Sequence, residues 1–223
     1  MPSALPGDGA RRPLSPPTSA PLPPSDDASA WGHYYDFELT WRVHLSWLVL
    51  GHWSMLWRIL ARRPKRILEV GAGTGSHSIF LSYFCSNLVS VDISEDVLRR
   101  AHANNARFHG RVDYRLGDAF DLHEFRDGEF DVVYSQGFFE HFDDASIERL
   151  VGEQLRVGRR VFVSVPNACY GRQDFGNERL MTREEWDGLF RRLRFKVAGS
   201  RDYGPSNRLL PQPKIHYLGI LAA

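Results

Sequence analysis

Ile67-Leu68-Glu69-Val70-Gly71-Ala72-Gly73-Thr74-Gly75, followed by Val89-Ser90-Val91-Asp92-Ile93, decides the fold. An apolar run ends in an acid and then in glycines at alternate positions. A second apolar run ends in another acid, one helix further on. Strand, glycine turn, helix and strand in that order make a β-α-β unit of an α/β fold. Glycines at 71, 73 and 75 let the backbone turn sharply and come close to a ligand. The third glycine of a dinucleotide fingerprint, however, falls on Ser76, and Glu69 sets negative charge where a pyrophosphate would lie. A ligand carrying an ammonium group suits Glu69 better. Asp92 at its strand end suits a pair of ribose hydroxyls.

On these residues the region from about residue 67 to residue 167, and more loosely to residue 223, resembles the Rossmann-like class I S-adenosylmethionine-dependent methyltransferases of the small-molecule type. The resemblance implies a doubly wound, mostly parallel sheet of seven strands, with the last strand antiparallel between strands five and six. It implies S-adenosyl-L-methionine as cofactor, with Gly71, Ala72, Gly73 and Gly75 against its methionine part. Glu69 is expected to hold the glycine turn and the methionine ammonium. Asp92 takes the ribose and Ile93 packs on the adenine face. Asp118 accepts from the adenine amino group while the Ala119 N–H reaches the ring, and Ser135 and Gln136 line the methionine end. Tyr34-Tyr35-Asp36 lies where relatives carry aromatic residues that fold over the cofactor. Tyr35 is therefore a candidate contact, with a plain packing role as the alternative.

Tyr134-Ser-Gln-Gly-Phe-Phe-Glu-His-Phe142 follows the fourth strand, where open α/β sheets bind ligands. His141 is the candidate catalytic residue: a neutral imidazole there can take a proton from an incoming hydroxyl or amine. It serves equally well as a hydrogen-bonding strut of its loop. Several reaction types lack their motifs. No Asn/Asp-Pro-Pro-Tyr/Phe segment marks base-amine methylation, and no cysteine stands beside the proline of Ser164-Val-Pro-Asn167 for base C5 chemistry. Of the two-glutamate loop of protein arginine methyltransferases only Glu140 is present, and no Asp/Asn cluster suggests magnesium. Metal-independent transfer to an oxygen or nitrogen of a small molecule is the expected activity. The alternatives are a protein or RNA target, a cofactor-binding subunit without turnover and, more distantly, an NAD-dependent oxidoreductase.

A formal charge of +1 on 223 residues gives no electrostatic reason to expect a nucleic-acid partner. Cys85 and Cys169 are too few for a disulfide framework and read as packing residues in a reduced, cytoplasmic setting. Residues 1–30, with eight prolines, read as a disordered tail, and residues 31–223 as the methyltransferase domain, with 31–62 an aromatic entry region or lid. Residues 41–60 carry four tryptophans and are long enough to cross a bilayer. Arg42, His44, Gly51, His52 and Arg58 interrupt them, so a helix packed on the core is expected rather than a membrane span. A lid, a homodimer face or membrane-surface contact remains open for that helix. Later elements read as a helix over 75–84, a strand over 88–92, a Ser94-capped helix over 95–108 and strands over 112–115 and 130–135. A helix to 157 ended by Gly158, a strand over 160–165, a Thr182 capping box and strands over 195–199 and 216–221 complete the set.

Overall fold

A computed structural model describes residues 39–171, 173, 177–204 and 213–222. The expected tail, Tyr35 and the rest of the entry region before residue 39 lie outside them. A seven-stranded sheet runs in the order β3-β2-β1-β4-β5-β7-β6. Its strands are β1 (Ile67–Val70), β2 (Leu88–Asp92), β3 (Val112–Leu116), β4 (Val132–Gln136), β5 (Arg160–Pro166), β6 (Lys196–Tyr203) and β7 (His216–Ala222). β1 to β5 pair in parallel, and β7 lies antiparallel between β5 and β6 as expected. The order reverses at β1, which places β1 and β4 side by side at the switch point where such sheets bind ligands.

Each central strand is apolar on both faces because helices cover both. On one face Ile67, Val132, Tyr134, Phe162 and Leu218 pack under the entry helices, α3 (Ser76–Ser82) and α4 (Glu95–Arg107). On the other, Leu68, Val133, Val161, Val163 and Tyr217 meet α5 (Asp144–Val157) and α6 (Arg183–Arg192). Full burial of each such aliphatic side chain stabilises the fold by about 1.5–3 kcal/mol.

The helix starts follow their caps. Ser94 accepts from the Val97 N–H, Asp143 from the Ser146 N–H, and Thr182 with Glu185 forms the complete capping box. Gly158 ends α5, but at φ −127°, so it stops the helix by entering extended backbone rather than a left-handed cap. β4 starts two residues later than expected, because Phe130 makes only an isolated bridge to Gly158. Cys85 is buried as expected, whereas Cys169 is exposed, because it sits in the turn after β5.

The entry segment is α1 (Trp41–Ser46), a π-helical stretch (Trp47–His52) and α2 (Trp53–Leu60). Leu48, Met55, Leu56 and Ile59 are buried on the sheet. Trp41, Leu45, Val49, Trp53 and Trp57, spaced four apart, are all exposed. An α-helix advances such a row by about 40° per step. The wider π turn sets it back, so the outer stripe and the inner contacts stay on opposite sides. No described helix is long and apolar enough to cross a membrane.

Candidate active site

The glycine turn after β1 is built as the spacing requires. Gly71, Gly73 and Gly75 have φ of 85°, 50° and 76°, all left-handed. A Cβ on Gly71 would lie 3.2 Å from Phe138 Cδ2, and one on Gly75 only 2.3 Å from the Tyr114 hydroxyl. Asp92 fixes the turn. Its Oδ2 accepts from the Ala72 N–H at 2.9 Å and its Oδ1 from the Ser94 N–H at 3.0 Å. One lone pair of each oxygen is thereby used, and a carboxylate has further acceptor capacity for a ligand. Burial pushes the Asp92 carboxyl upward, against the backbone N–H groups that favour its charge.

Glu69 lies beneath the turn: Ser90 Oγ donates to its Oε2 at 2.6 Å and the Tyr134 hydroxyl to its Oε1 at 2.7 Å. Burial is the main cause that raises its carboxyl to about 7, and the neighbouring charge of Asp92 adds to it. Tyr114 completes this polar layer, within 3.2 Å of Ser78 Oγ, which donates to the Gly75 carbonyl. Ser78, Ser90, Tyr114 and Tyr134 escaped the sequence reading. The available signal was a serine and a tyrosine inside otherwise apolar strand runs.

Ile93 and Leu116 stand exposed at the carboxyl ends of β2 and β3, where Asp92 and Leu116 are register partners. They form an apolar wall that the sequence reading had recognised only in Ile93. Asp118 is exposed, with Oδ1 accepting from the Phe120 N–H at 2.9 Å, and Ala119 is half-buried beside it. Ser135 is buried, and its Oγ has no hydrogen-bond partner among the described residues. Gln136 ends β4 in register with Ser164.

His141 sits in a 3-10 turn, Phe139–His141, with its side chain 3% exposed. Its Nδ1 lies 2.9 Å from Asn177 Oδ1, and burial lowers its basicity. Glu140 Oε1 is 3.9 Å from His141 Nε2. That contact is not an ion pair at neutral pH, since burial pushes the Glu140 carboxyl up to about 8, with Glu178 adding to the effect. Arg179 donates to the Phe142 carbonyl and to Asp144 and lies over Trp186, so it braces this loop. Among the described residues no group of His, Cys, Asp and Glu is arranged to hold a metal ion. A cavity of about 770 Å³ between Arg62, Lys65, Asp131 and Arg159 opens at the amino ends of β1 and β5, the end of the sheet opposite the glycine turn.

Residues 67–160 match the family model described as a methyltransferase domain. A ubiquinone biosynthesis O-methyltransferase of Hydrogenovibrio crunogenus is 34% identical over 107 residues, 48% of this chain and 44% of that protein. One from Bordetella parapertussis is 32% identical over 104 residues, 46% and 43% of the two chains. The chain thus spans under half the length of these relatives. A Pyrococcus horikoshii OT3 protein of known structure superposes with a TM-score of 0.68 at 19% identity, covering 85% of this chain and 97% of its own. The magnesium protoporphyrin IX methyltransferase of Synechocystis PCC 6803, solved with bound S-adenosylhomocysteine, superposes with a TM-score of 0.62 at 14% identity, covering 89% and 95%. At such identities the likeness is one of fold. Residues 67–160 thus resemble a methyltransferase domain, and the sheet built around them has the fold of these solved structures.

Proposed function

We propose that this chain transfers a methyl group from S-adenosyl-L-methionine to an oxygen or nitrogen atom of a small molecule, without a metal ion. The glycine turn tied to Asp92 carries the reading, because its left-handed glycines leave bare backbone at the switch point of the sheet. The residues around it suit the cofactor's parts. Ile93 and Leu116 give a ring an apolar wall, and Asp118 retains acceptor capacity for an exocyclic amine. Asp92 keeps lone pairs for ribose hydroxyls, and Ser135 Oγ needs a partner. Glu69 lies beneath the turn and gives it a negative lining whenever it is ionised. S-adenosylmethionine, when bound, supplies a methyl carbon already activated by a sulfonium, so the chain's task is to align the acceptor and exclude water.

The O-methyltransferase names of the curated relatives favour oxygen as the accepting atom. His141 belongs to loop positioning on its contact with Asn177. We assign the domain to residues 31–223 and its setting to the cytoplasm. A homodimer through the exposed face of Trp41, Trp53 and Trp57 belongs to the same proposal, and light scattering that reads a monomer mass at high concentration excludes it.

Calorimetric titration with S-adenosylhomocysteine, NAD and an Asp92→Asn variant tests the reading. Binding of S-adenosylhomocysteine alone, weakened in the variant, is expected. A preference for NAD, or no binding, overturns it.

A further inference from the structure

Five cations gather at the end of the sheet opposite the glycine turn. Arg62, Arg63 and Lys65 lie in the connection from α2 to β1, and Arg159 and Arg160 lead into β5. With Ala61 and Asp131 they line the cavity of about 770 Å³ there. β1, β4 and β5 are parallel neighbours, so the residues that lead into them stand side by side.

Elsewhere on this chain arginines find carboxylates. Arg99 meets Asp96 at 2.7 Å, Arg115 meets Asp113 at 2.7 Å, and Arg156 meets Glu153 at 2.6 Å. Around the cavity they do not. Arg62, Arg63, Lys65 and Arg160 make no ion pair among the described residues, and Arg159 approaches Asp131 only to 4.0 Å.

The nearby acids are committed to other partners. Asp131 Oδ2 accepts from the Lys65 N–H at 2.8 Å and the Arg66 N–H at 3.1 Å, which fixes the connection into β1. Glu129 pairs with Arg66 and accepts from the Arg126 N–H at 2.8 Å. Five cations against one carboxylate leave the cavity a surplus of four positive charges. The field reaches α2, where Arg58 is lowered first by burial and then by the charges of Arg201 and Arg62. A solvated surface ordinarily intersperses its signs, because like charges side by side repel. Arg63 also holds a φ of 49°, a left-handed conformation that costs a non-glycine residue about 1–2 kcal/mol. Cations kept together against repulsion and strain point to a ligand that supplies the missing anions.

The lining narrows the ligand. Four of the five cations are arginines, whose planar fork pairs bidentately with phosphate oxygens. The volume falls within the range of about 300–1,000 Å³ common to ligand sites, more than one tetrahedral anion fills. No aromatic ring and no aliphatic side chain longer than that of Ala61 lines it. Nothing there can stack a base or enter an acyl layer. Linked negative groups are what such a site reads.

We propose that Arg62, Arg63, Lys65, Arg159 and Arg160 bind a soluble oligophosphate (two or more linked phosphates, free or as the tail of a nucleotide) at the amino ends of β1, β4 and β5. β1, four residues long, sets this site about 13 Å from the glycine turn. The two sites are separate, and the oligophosphate site does not depend on the cofactor reading.

Calorimetric titration of the full-length protein with sodium tripolyphosphate, in about 50 mM NaCl, tests the site. One saturable site is expected, at least about 10-fold tighter than for orthophosphate and within about 3-fold of that for ATP, whose base finds no ring to stack on. Arg62→Gln combined with Arg160→Gln should bind tripolyphosphate about 10-fold more weakly, because charge-assisted hydrogen bonds are lost. Arg99→Gln removes an equal charge from α4 and should change the affinity by less than about 2-fold. Arg62→Gln with Arg159→Gln, both exposed positions, serves should Arg160→Gln fail to fold. No saturable binding overturns the site, and so does an equal loss in Arg99→Gln or displacement of tripolyphosphate by S-adenosylhomocysteine. Orthophosphate bound as tightly overturns the linked-phosphate class. Phosphatidylglycerol vesicles or a single-stranded oligonucleotide that bind more tightly than tripolyphosphate through the same two arginines overturn the soluble ligand. S-adenosylhomocysteine that fails to bind while tripolyphosphate binds overturns the cofactor reading and leaves this site standing.

Discussion

Gly75→Ala separates two effects that the glycine turn combines. An alanine at a left-handed φ costs about 1–2 kcal/mol, less a few tenths recovered because the unfolded chain loses freedom. Gly128, at φ 63° with nothing within 4 Å of a built Cβ, measures that strain alone. At Gly75 the same Cβ falls 2.3 Å from the Tyr114 hydroxyl, 3.2 Å from Cζ and 3.4 Å from Ala101 Cβ. Tyr114 is buried on β3, so its ring cannot swing clear into water. Its hydroxyl must move off Ser78, which lies 3.2 Å away. A lost bond with the hydroxyl still buried costs about 1–3 kcal/mol, and overpacking a further 1–3 or so. Gly75→Ala is therefore expected to lose roughly 3–8 kcal/mol in all, against about 1 for Gly128→Ala.

Urea unfolding followed by circular dichroism reads both variants. The comparison is valid where the dependence on urea is unchanged. Adding Tyr114→Phe to Gly75→Ala removes the clashing oxygen and should recover about 1 kcal/mol or more, beyond what the single Tyr114→Phe change predicts by addition. Gly75→Ala and Gly128→Ala variants that agree within about 0.5 kcal/mol would refute the clash and leave only strain.

Several other outcomes are expected. Glu69 and Glu140 are held protonated at about 7 and about 8 in the folded chain against an ordinary 4.5, so the folded state keeps protons that the unfolded state has released. The buried histidines act oppositely, because below 6.5 the unfolded chain takes up protons that His52, His77 and His216 refuse. Above pH 6.5 only the glutamates remain, so stability should fall from there to about pH 8 and then level. For Glu69 alone the full effect from pH 4.5 to about 7 is roughly 3 kcal/mol, of which less than about 1 falls above pH 6.5, so Glu69→Gln should remove the first part of the fall and leave that of Glu140; a slope in denaturant midpoints unchanged between pH 6.5 and 7 excludes burial as its cause. Thr182→Ala removes the capping box of α6 and should lower stability by about 1 kcal/mol in the same assay. Trp186→Ala, at 0% exposure, should lose about 3–5 kcal/mol while Trp57→Ala, at 58%, changes stability by less than about 0.5; equal losses would show that the outer stripe is packed in solution.

The strand order was legible because apolar runs ending in acids or glycines recur at helix-length intervals, and the resemblance supplied the antiparallel last strand. Local chemistry was legible too, since caps such as Thr182 with Glu185 depend on residues within one turn. The π stretch was not. Nothing in Trp47–His52 marks an i→i+5 turn, which exists because Leu48 and Met55 must both face the sheet while Val49 and Trp53 face out. The meeting of His52 with His216 and Tyr203 was equally hidden, because the three lie far apart in the chain and only the pairing of β7 with both β5 and β6 brings them together.

Asp92 and Glu69 show how two like acids beside one turn come to different surroundings. Both end or nearly end a strand beside the glycine turn, and sequence gives each the same carboxylate. Their strand positions differ by one pleat relative to the turn. Asp92 is the last residue of β2 and reaches the Ala72 N–H, so backbone donors favour its charge. Glu69 is one residue inside β1, paired with Ser90 and Tyr134, and is met by hydroxyls rather than by N–H groups of the turn. Hydroxyls donate to a carboxylate but equally accept from a carboxyl, so this layer tolerates the proton that burial imposes on Glu69. The turn is therefore held by the acid that backbone N–H groups meet. The buried acid beneath keeps its place through either protonation state, ready to ionise when a cationic ligand settles above it.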